Sequence, residues 1–148
     1  QLKNQPQSRR IMTNIYNFAD LSEMNLEPCA YSMTFNVTGN KLNAILNQRS
    51  QDILAANNWN VVQYAVLVHM LAQVCDMNVG ELVHVIADAH IYDRHIPMVE
   101  ELLKKEPYPG PTLAMDTSVT DFYQFTTSSF RLENYQYHAF EHKIPVAI

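Results

Sequence analysis

One cysteine of this chain lies where its side chain could act as a nucleophile. Cys29 follows Pro28 and directly precedes a run of residues that is typical of a β-strand, so the backbone is stiff on both sides of the thiol. A thiol becomes a useful nucleophile when a nearby positive charge favours its thiolate form. The alternative is that Cys29 is a small buried hydrophobic residue, which is a common environment for cysteine.

A short polar segment further along the chain combines a cation, a hydroxyl group, an amide and a carboxylate, in Arg49, Ser50, Gln51 and Asp52. The Arg49 guanidinium could bind a phosphate group, or it could favour the thiolate of Cys29. The alternative is an ordinary surface ion pair between Arg49 and Asp52, which would contribute little stability.

Arg9 and Arg10 form a tandem pair of cations in an otherwise acidic chain. Two adjacent guanidinium groups can hold a phosphate through bidentate hydrogen bonds, which is a geometry that lysine cannot reproduce. The alternative is a solvated surface pair with no ligand.

Three further polar residues could recognise a small molecule. Asn60 stands at the start of a long apolar run, where it could cap a helix or pair its amide with the edge of a base. His90 and Tyr92 should lie on the same side of an extended segment, from which both could bind sugar hydroxyl groups. A structural histidine is the alternative for His90.

From these residues alone, two mechanisms remain open. Cys29 could attack a phosphorylated small molecule, or it could work with His90 in a Cys-His hydrolase, although no oxyanion hole is evident for the latter. A metal site is not expected, because the spacing of His84, His90 and His95 does not match a zinc motif. We expect His69 and His84 to be packing positions.

Composition limits the class of protein. The chain has 148 residues, 47% hydrophobic and 17% charged, which is typical of one globular domain. Its net charge of −5 argues against general nucleic-acid binding. Two cysteines without a disulfide pattern favour the cytoplasm, and no apolar run is long enough to span a membrane. Because the sequence begins without methionine, we expect it to be a piece of a longer chain.

Hydrophobic periodicity predicts an α+β fold in which a mixed β-sheet packs on a long, buried central helix. The helix is predicted over residues 60–75, because this stretch is apolar on nearly every side. Gly80 should break the chain after it, and a second helix should begin near Ile96. Residues 19–24 should form a brief helical turn. The predicted strands cover residues 11–16, 31–37, 41–48, 81–89, 112–115 and 129–134.

Taken together and in order, these segments resemble the thymidylate synthase family over the whole chain. The fold that the resemblance implies is the same α+β arrangement, and residues 1–148 would form the C-terminal part of a single domain of that family. The segments that carry it are Ser8-Arg9-Arg10, Pro28-Cys29, Gln48-Arg49-Ser50 with Asp52, Asn60 before a long helix, Asp88 with His90 and Tyr92, and Pro145-Val146-Ala147-Ile148.

The resemblance implies a specific reaction. The family transfers a one-carbon unit from 5,10-methylenetetrahydrofolate to dUMP, and the folate also supplies the hydride that reduces this unit to a methyl group. Cys29 would add to C6 of the uracil ring, which makes C5 electron-rich enough to attack the folate methylene. The folate is a co-substrate in this scheme, and no metal takes part.

The resemblance also assigns roles to the other polar residues, together with a homodimeric assembly in which subunits share sites. Arg49 and Ser50 would bind phosphate with Gln51 beside them, and Arg9 and Arg10 would reach the phosphate of the partner subunit's dUMP. Asn60 would read uracil O4 and N3, His90 and Tyr92 would bind ribose, Asp52 would bind folate, and Ala147 would belong to a tail that closes over folate.

The family's N-terminal portion, which the resemblance implies to carry another phosphate-binding arginine, a glutamate and folate-packing aromatic residues, has no counterpart in these residues. Alanine at 30 and asparagines at 57 and 58 also depart from the commoner residues of the family. Two alternatives therefore remain beside a thymidylate synthase. One is a dUMP or dCMP hydroxymethylase, in which water rather than hydride completes the reaction. The other is a catalytically incomplete fragment that only dimerises.

Overall fold

The computed structural model describes residues 1–145, and the chain forms two compact units that divide after His90. The first unit, residues 1–90, contains a four-stranded sheet, a long helix and a pair of two-residue strands. The second unit contains a short helix and a two-stranded sheet. The elements are β1 (Met12–Asn14), β2 (Ala30–Thr38), β3 (Lys41–Gln48), β4 (Gln51–Asp52), α1 (Asn57–Val74), β5 (Asn78–Ile86), β6 (Ala89–His90), α2 (Ile96–Leu102), β7 (Thr112–Met115) and β8 (Phe130–Glu133).

The hairpin of β2 and β3 confirms the predicted alternation of buried and exposed residues. Met33 and Phe35 of β2 are buried, and the buried row of β3 runs through Leu42, Ala44 and Leu46. The strands are joined at Gly39, whose φ of 62° lies in the left-handed region that glycine adopts without a steric penalty. Both strands lie within one residue of their predicted bounds.

The prediction that Gly80 breaks the chain was wrong, because β5 begins at Asn78 and runs through it, parallel to β3. The pairing of β3 with β5 is irregular between Leu42 and Ala44, the part of β3 that lies beside Gly80. A Cβ atom at position 80 would lie 2.7 Å from the Leu42 carbonyl oxygen and even closer to the Asn43 side chain. Glycine is therefore required by close packing between two strands.

Helix α1 begins at Asn57, three residues before its predicted start, and Ala56 occupies the N-cap position. The expectation that Asn60 caps the helix was therefore wrong. Within the described residues, only Val68 and Ala72 of this helix are buried, so the helix is less enclosed than its composition predicted. Three further side chains of the helix pack against the sheet core, namely Tyr64, Leu67 and Leu71.

The remaining short elements lie where they were predicted, but they are shorter than predicted. The strand predicted over 11–16 covers only Met12–Asn14, and the predicted turn at 19–24 is a 3₁₀ turn over Leu21–Glu23. The β4–β6 pair was not predicted. The α+β class and the mixed sheet packed on the helix are confirmed, with β3 and β5 parallel and the other neighbours antiparallel.

In the second unit, the sequence predicted β7 at its observed bounds and placed β8 to within one residue of them. Two histidines link the segment that follows β8 to residues in and next to α2. The buried His95 bonds through Nε2 to the Pro145 carbonyl at 2.9 Å, and His142 contacts the Glu101 carboxylate at 2.6 Å. Over residues 1–145, none of the helices is both long and apolar enough to cross a lipid bilayer.

Candidate active site

The strand register brings Cys29 beside Arg49. Ala30 at the start of β2 pairs with Gln48 at the end of β3, so the residues just outside this pair face each other. The Arg49 amide donates to the Cys29 carbonyl at 2.9 Å. Because Pro28 and the strand restrict the backbone on either side, the thiol stands at a fixed point at the end of the sheet.

The Arg49 side chain binds the loop that carries the cysteine. Its Nε donates to the Pro28 carbonyl at 3.1 Å, and its Nη2 donates to the Glu27 carbonyl at 2.7 Å. The Glu27 carboxylate accepts in turn from the Tyr16 hydroxyl at 3.0 Å. These bonds use two of the five N–H groups of the guanidinium, so Arg49 can position the loop and still donate to an anion.

A buried amide cluster lies on the core side of the same strand ends. Gln48 is 2% exposed, and its Nε2 donates to the Ser50 carbonyl at 2.8 Å and to Asn60 Oδ1 at 3.2 Å. Gln51 Oε1 is a third acceptor beside Gln48 Nε2, and the three acceptors share the two hydrogens of that nitrogen. Gln48 Oε1 faces His84 Nε2 at 2.9 Å. Each buried polar group of Gln48 therefore has a partner, as groups removed from water require.

Gln51 and Asp52 connect this cluster to the turn before α1. Gln51 is 1% exposed and donates through Nε2 to the Asp52 carbonyl at 3.2 Å. Asp52 Oδ1 accepts from the amides of Leu54 and Ala55 at 3.1 and 3.0 Å. The carboxylate thus stabilises the turn into the helix, in the manner of a capping residue.

Asn60 faces the sheet from the first turns of α1 and joins the cluster through its amide oxygen. Its Oδ1 accepts from Gln48, which leaves a second lone pair on that oxygen and the two N–H groups of Nδ2 to face another ligand. Such an amide offers a donor and an acceptor side by side, which is the pattern needed to read a base edge.

His90 is brought to the same end of the sheet by the β4–β6 pair. Asp52 pairs with His90 in this ladder, and the Ile53 amide donates to the His90 carbonyl at 3.0 Å. The His90 ring lies 3.3 Å from an Asp88 carboxylate oxygen. Since β3 and β5 run parallel, the segments that follow each of them emerge at one edge, which is where ligands bind in many α/β sheets.

Tyr92, Arg9 and Arg10 were also predicted as site residues. Tyr92 belongs to the second unit, where its ring stacks under the Arg94 guanidinium at 5.1 Å. Arg9 and Arg10 are exposed just before β1, and neither guanidinium forms an ion pair with any residue from 1 to 145. Ala147 lies outside the described residues.

Sequence reasoning missed Gln48 and His84 as members of the cluster, and the expectation that His84 is only a packing position was incomplete. Both residues continue rows of alternating apolar side chains on the face of the sheet that packs against α1. Gln48 follows Leu42, Ala44 and Leu46 at intervals of two, and His84 follows Leu82. A polar side chain that continues a buried row must find a partner, so this alternation was a usable signal.

The second cysteine has a different environment. Cys75 lines an apolar cleft of about 650 Å³ together with Phe35, Leu67 and Leu71. Burial raises the pKa of the Cys75 thiol above its usual value, and the charge of Lys3 opposes this only in part. A raised pKa keeps a thiol protonated at neutral pH, so Cys75 is poorly suited to act as a nucleophile.

Comparison with known proteins identifies related chains. The family model for thymidylate synthase matches residues 1–148. A thymidylate synthase from Bacillus subtilis subsp. natto is 41% identical over 137 residues, which are 93% of this chain and 49% of the relative. A bifunctional dihydrofolate reductase-thymidylate synthase from Zea mays is 39% identical over 93% of this chain and 26% of the relative.

A solved structure agrees with the sequence comparisons. The thermostable thymidylate synthase A from Bacillus subtilis superposes on this chain with a TM-score of 0.93 at 39% identity. The match covers 100% of this chain and 53% of the other. The chain therefore spans about half the length of the Bacillus proteins that it matches.

Proposed function

This chain belongs to the thymidylate synthase family, and we propose that it supplies the nucleophile and much of the dUMP-binding surface of such an enzyme. The reaction is the reductive methylation of dUMP to dTMP, with 5,10-methylenetetrahydrofolate as carbon and hydride donor. The observation that carries the proposal is the strand register that holds Cys29 beside Arg49, in a chain that matches the family from end to end.

Cys29 acts as the covalent catalyst. Its thiolate adds to C6 of uracil, and the electron pair of the C5–C6 double bond moves to C5, which attacks the folate methylene. Loss of the C5 proton breaks the bond between the methylene carbon and N5 of the folate. Hydride transfer from the folate to this carbon then expels the thiolate and gives dTMP and dihydrofolate. Arg49 supports this role because it binds the carbonyls on the approach to Cys29 and carries a positive charge.

Asn60 reads the base. Uracil presents an acceptor at O4 and a donor at N3–H, so it needs one donor and one acceptor from the protein. Gln48 donates to Asn60 Oδ1, which favours the orientation in which Nδ2 faces O4 and the remaining lone pair of Oδ1 faces N3–H. Cytosine presents the opposite pattern, so this orientation favours dUMP over dCMP.

Arg49 and Ser50 bind the phosphate of dUMP with Gln51 beside them, and Arg9 and Arg10 reach the phosphate site of a second copy of the chain. The exposed, unpaired state of the two guanidiniums among residues 1–145 supports donation across a homodimer. On the sheet face opposite α1, Val83 and Val85 of β5 are each about half exposed, and exposed apolar side chains there would suit contact with a second copy.

The remaining roles concern ribose and folate. His90 and Tyr92 bind the ribose hydroxyl groups, and Asp52 binds the folate. Because Asp52 also stabilises the turn before α1, its carboxylate is held at a defined position. Two free cysteines support a reducing compartment, which we propose to be the cytoplasm.

The test is the intact mass of the protein after incubation with 5-fluoro-dUMP and 5,10-methylenetetrahydrofolate. Fluorine at C5 cannot leave as a proton does, so the covalent complex should accumulate. We expect the adduct in the wild-type protein and in Cys75→Ser, and none in Cys29→Ser. An adduct that persists in Cys29→Ser, or a folded wild-type protein that forms none, would contradict the proposal, and the second result would favour the inert-fragment alternative.

The folate product separates methylation from hydroxymethylation. Hydride transfer yields dihydrofolate, whereas completion by water yields tetrahydrofolate, and the two have different absorbance spectra. We expect dihydrofolate in equal amount to dTMP. Tetrahydrofolate with a hydroxymethylated nucleotide would establish the hydroxymethylase instead.

Mixed dimers test the sharing of sites. One subunit carries Arg9→Ala and Arg10→Ala, the other carries Cys29→Ala, and each homodimer should be inactive. If arginines cross the interface, one site of each mixed dimer combines intact arginines with an intact cysteine and recovers activity. A mixture as inactive as its parents would eliminate sharing.

A further inference from the structure

His84 is a polar residue in a row that otherwise packs against the core. It lies two residues after Leu82 on β5, on the face toward α1, and it is half-buried. Its Nε2 stands 2.9 Å from Gln48 Oε1. No role in the site was expected for it, so its contact with the amide cluster calls for an explanation.

Two backbone carbonyls determine the direction of the hydrogen bonds in this cluster. A carbonyl oxygen only accepts, so the Gln48 atom 2.8 Å from the Ser50 carbonyl must be the amide nitrogen. In the same way, the Asp52 carbonyl makes Nε2 of Gln51 its donor. Gln48 Oε1 must then point toward His84, where it accepts a hydrogen from Nε2.

The His84 ring is suited to donate at this position. Burial lowers the pKa of His84 below its usual value of 6.5, so the ring is neutral at pH 7 and carries a single N–H. The carbonyl-directed orientation of Gln48 requires this hydrogen to be on Nε2. The hydrogen bond that one ring nitrogen makes thus selects the tautomer.

At the nitrogen end of the Gln48 amide, more acceptors are present than there are hydrogens to donate. Nε2 has two hydrogens and faces three acceptors, which are the Ser50 carbonyl, Gln51 Oε1 and Asn60 Oδ1. A small rotation of the Gln48 amide therefore strengthens or weakens the hydrogen bond from its Nε2 to Asn60 Oδ1. The His84 contact at Oε1 restricts that rotation, because both ends of a planar amide move together.

We propose that His84 is a positioning residue: its Nε2–H holds the Gln48 amide in one orientation, and Gln48 in turn presents Asn60 as an amide that reads uracil. This inference rests on the proposed function for its substrate, dUMP. Without the His84 donor, the buried Oε1 of Gln48 loses its partner, and the amide rotates to find another. Asn60 is then free to turn its amide, and discrimination between uracil and cytosine weakens.

Three variants separate this role from simple packing. His84→Phe keeps a ring and removes the donor, whereas His84→Gln keeps an N–H donor in a flexible side chain. His69→Phe is the matched control, because burial also lowers the pKa of that histidine and it lies on α1 away from the cluster. In each protein we measure kcat, the KM for dUMP, and the ratio of the dissociation constants of dCMP and dUMP.

We expect His84→Phe to reduce the preference for dUMP over dCMP by about five- to tenfold, the effect of one weakened hydrogen bond. The KM for dUMP should rise more than kcat falls, His84→Gln should restore most of the preference, and His69→Phe should leave it unchanged. An unchanged preference in His84→Phe, or equal losses in His84→Phe and His84→Gln, would overturn the proposal.

NMR of the histidine-labelled wild-type protein gives a test that does not depend on catalysis or on a stable variant. Long-range ¹H–¹⁵N correlations should show His84 neutral at pH 7 with its proton on Nε2. A proton on Nδ1 would overturn the positioning role even if dUMP is methylated. Conversely, an Nε2 tautomer in a protein that forms no adduct at Cys29 would leave the contact correct and the proposed function wrong.

Discussion

The two units of this chain are stabilised in different ways. Residues 1–90 pack a four-stranded sheet against α1 around an apolar core, and a buried amide cluster continues that core toward Cys29. The second unit is held largely by exposed contacts, such as Glu101 with Lys105 and His142, and by pairs of aromatic rings. The candidate site residues therefore lie mainly where packing is dense and where buried amides are hydrogen-bonded.

The largest expected difference comes from matched truncations of leucine. Leu46 of β3 is 0% exposed, whereas Leu132 of β8 is 49% exposed. Leu46→Ala should lower the free energy of unfolding by about 2–5 kcal/mol, because it leaves a cavity in the core. Leu132→Ala should cost less than about 1 kcal/mol. Urea denaturation followed by circular dichroism measures both, and comparable losses would contradict the contrast between the units.

A smaller difference is expected from two glycines. A methyl group at Gly80 would collide with the Leu42 carbonyl and the Asn43 side chain, so Gly80→Ala should destabilise the sheet by about 1–3 kcal/mol. Gly110 in the second unit has open space around its missing Cβ, and Gly110→Ala should be neutral or slightly stabilising. Thermal unfolding of the two variants, side by side, tests this. A stable Gly80→Ala protein would mean that β3 and β5 separate easily.

The contrast also describes what the sequence could predict. Strands such as β3 and β7 were predictable at their observed bounds, because alternation along a strand is a local property. The start of α1 was misplaced because the capping preference of Asn60 was weighed alone. In the structure, that amide bonds to Gln48, and Ala56 holds the N-cap position instead. A side chain with a distant partner does not obey the local preference of its residue type.

The candidate site, like the fold, was predictable from the sequence only in part. The order of Cys29, Arg49 and His90 was sufficient to suggest a nucleotide site through family resemblance. The pairing of Gln48 with His84 was not, since it joins residues on two strands that become neighbours only through the parallel crossover. The β4–β6 pair was missed for a related reason, because two-residue strands show no periodicity.

Acid should weaken the first unit before the second. Burial lowers the pKa of His69 and of His84 below 6.5 in the folded state, so the unfolded chain binds protons more readily. Their contribution to stability is complete above pH 6.5 and is lost as the pH falls through the lowered folded values. In the second unit, hydrogen bonds from His142 and Lys105 lower the pKa of Glu101 below 4.5, so this contact persists to more acidic pH.

Hydrogen exchange monitored by mass spectrometry at pH 7.0 and pH 5.5 can resolve this order, once rates are corrected for intrinsic exchange. Peptides from β5 and α1 should lose protection between the two values, whereas peptides from α2 should change less. His69→Phe is the control, because it removes one of the two titrating groups and should reduce the loss. Earlier loss of protection in α2 would show that the exposed contacts are the more acid-sensitive ones.

The smallest expected effect concerns a surface ion pair. Arg131 and Glu133 lie 2.5 Å apart on β8, but the Arg131 side chain is 73% exposed. Water and salt screen such a pair, so Glu133→Gln should change the free energy of unfolding by less than about 1 kcal/mol, and the change should fade in 1 M NaCl. Urea titrations at low and high salt measure this. A large, salt-independent loss would mean that exposed contacts stabilise the second unit as strongly as buried contacts stabilise the first. The two units would then differ in the kind of contact that stabilises them and not in its strength.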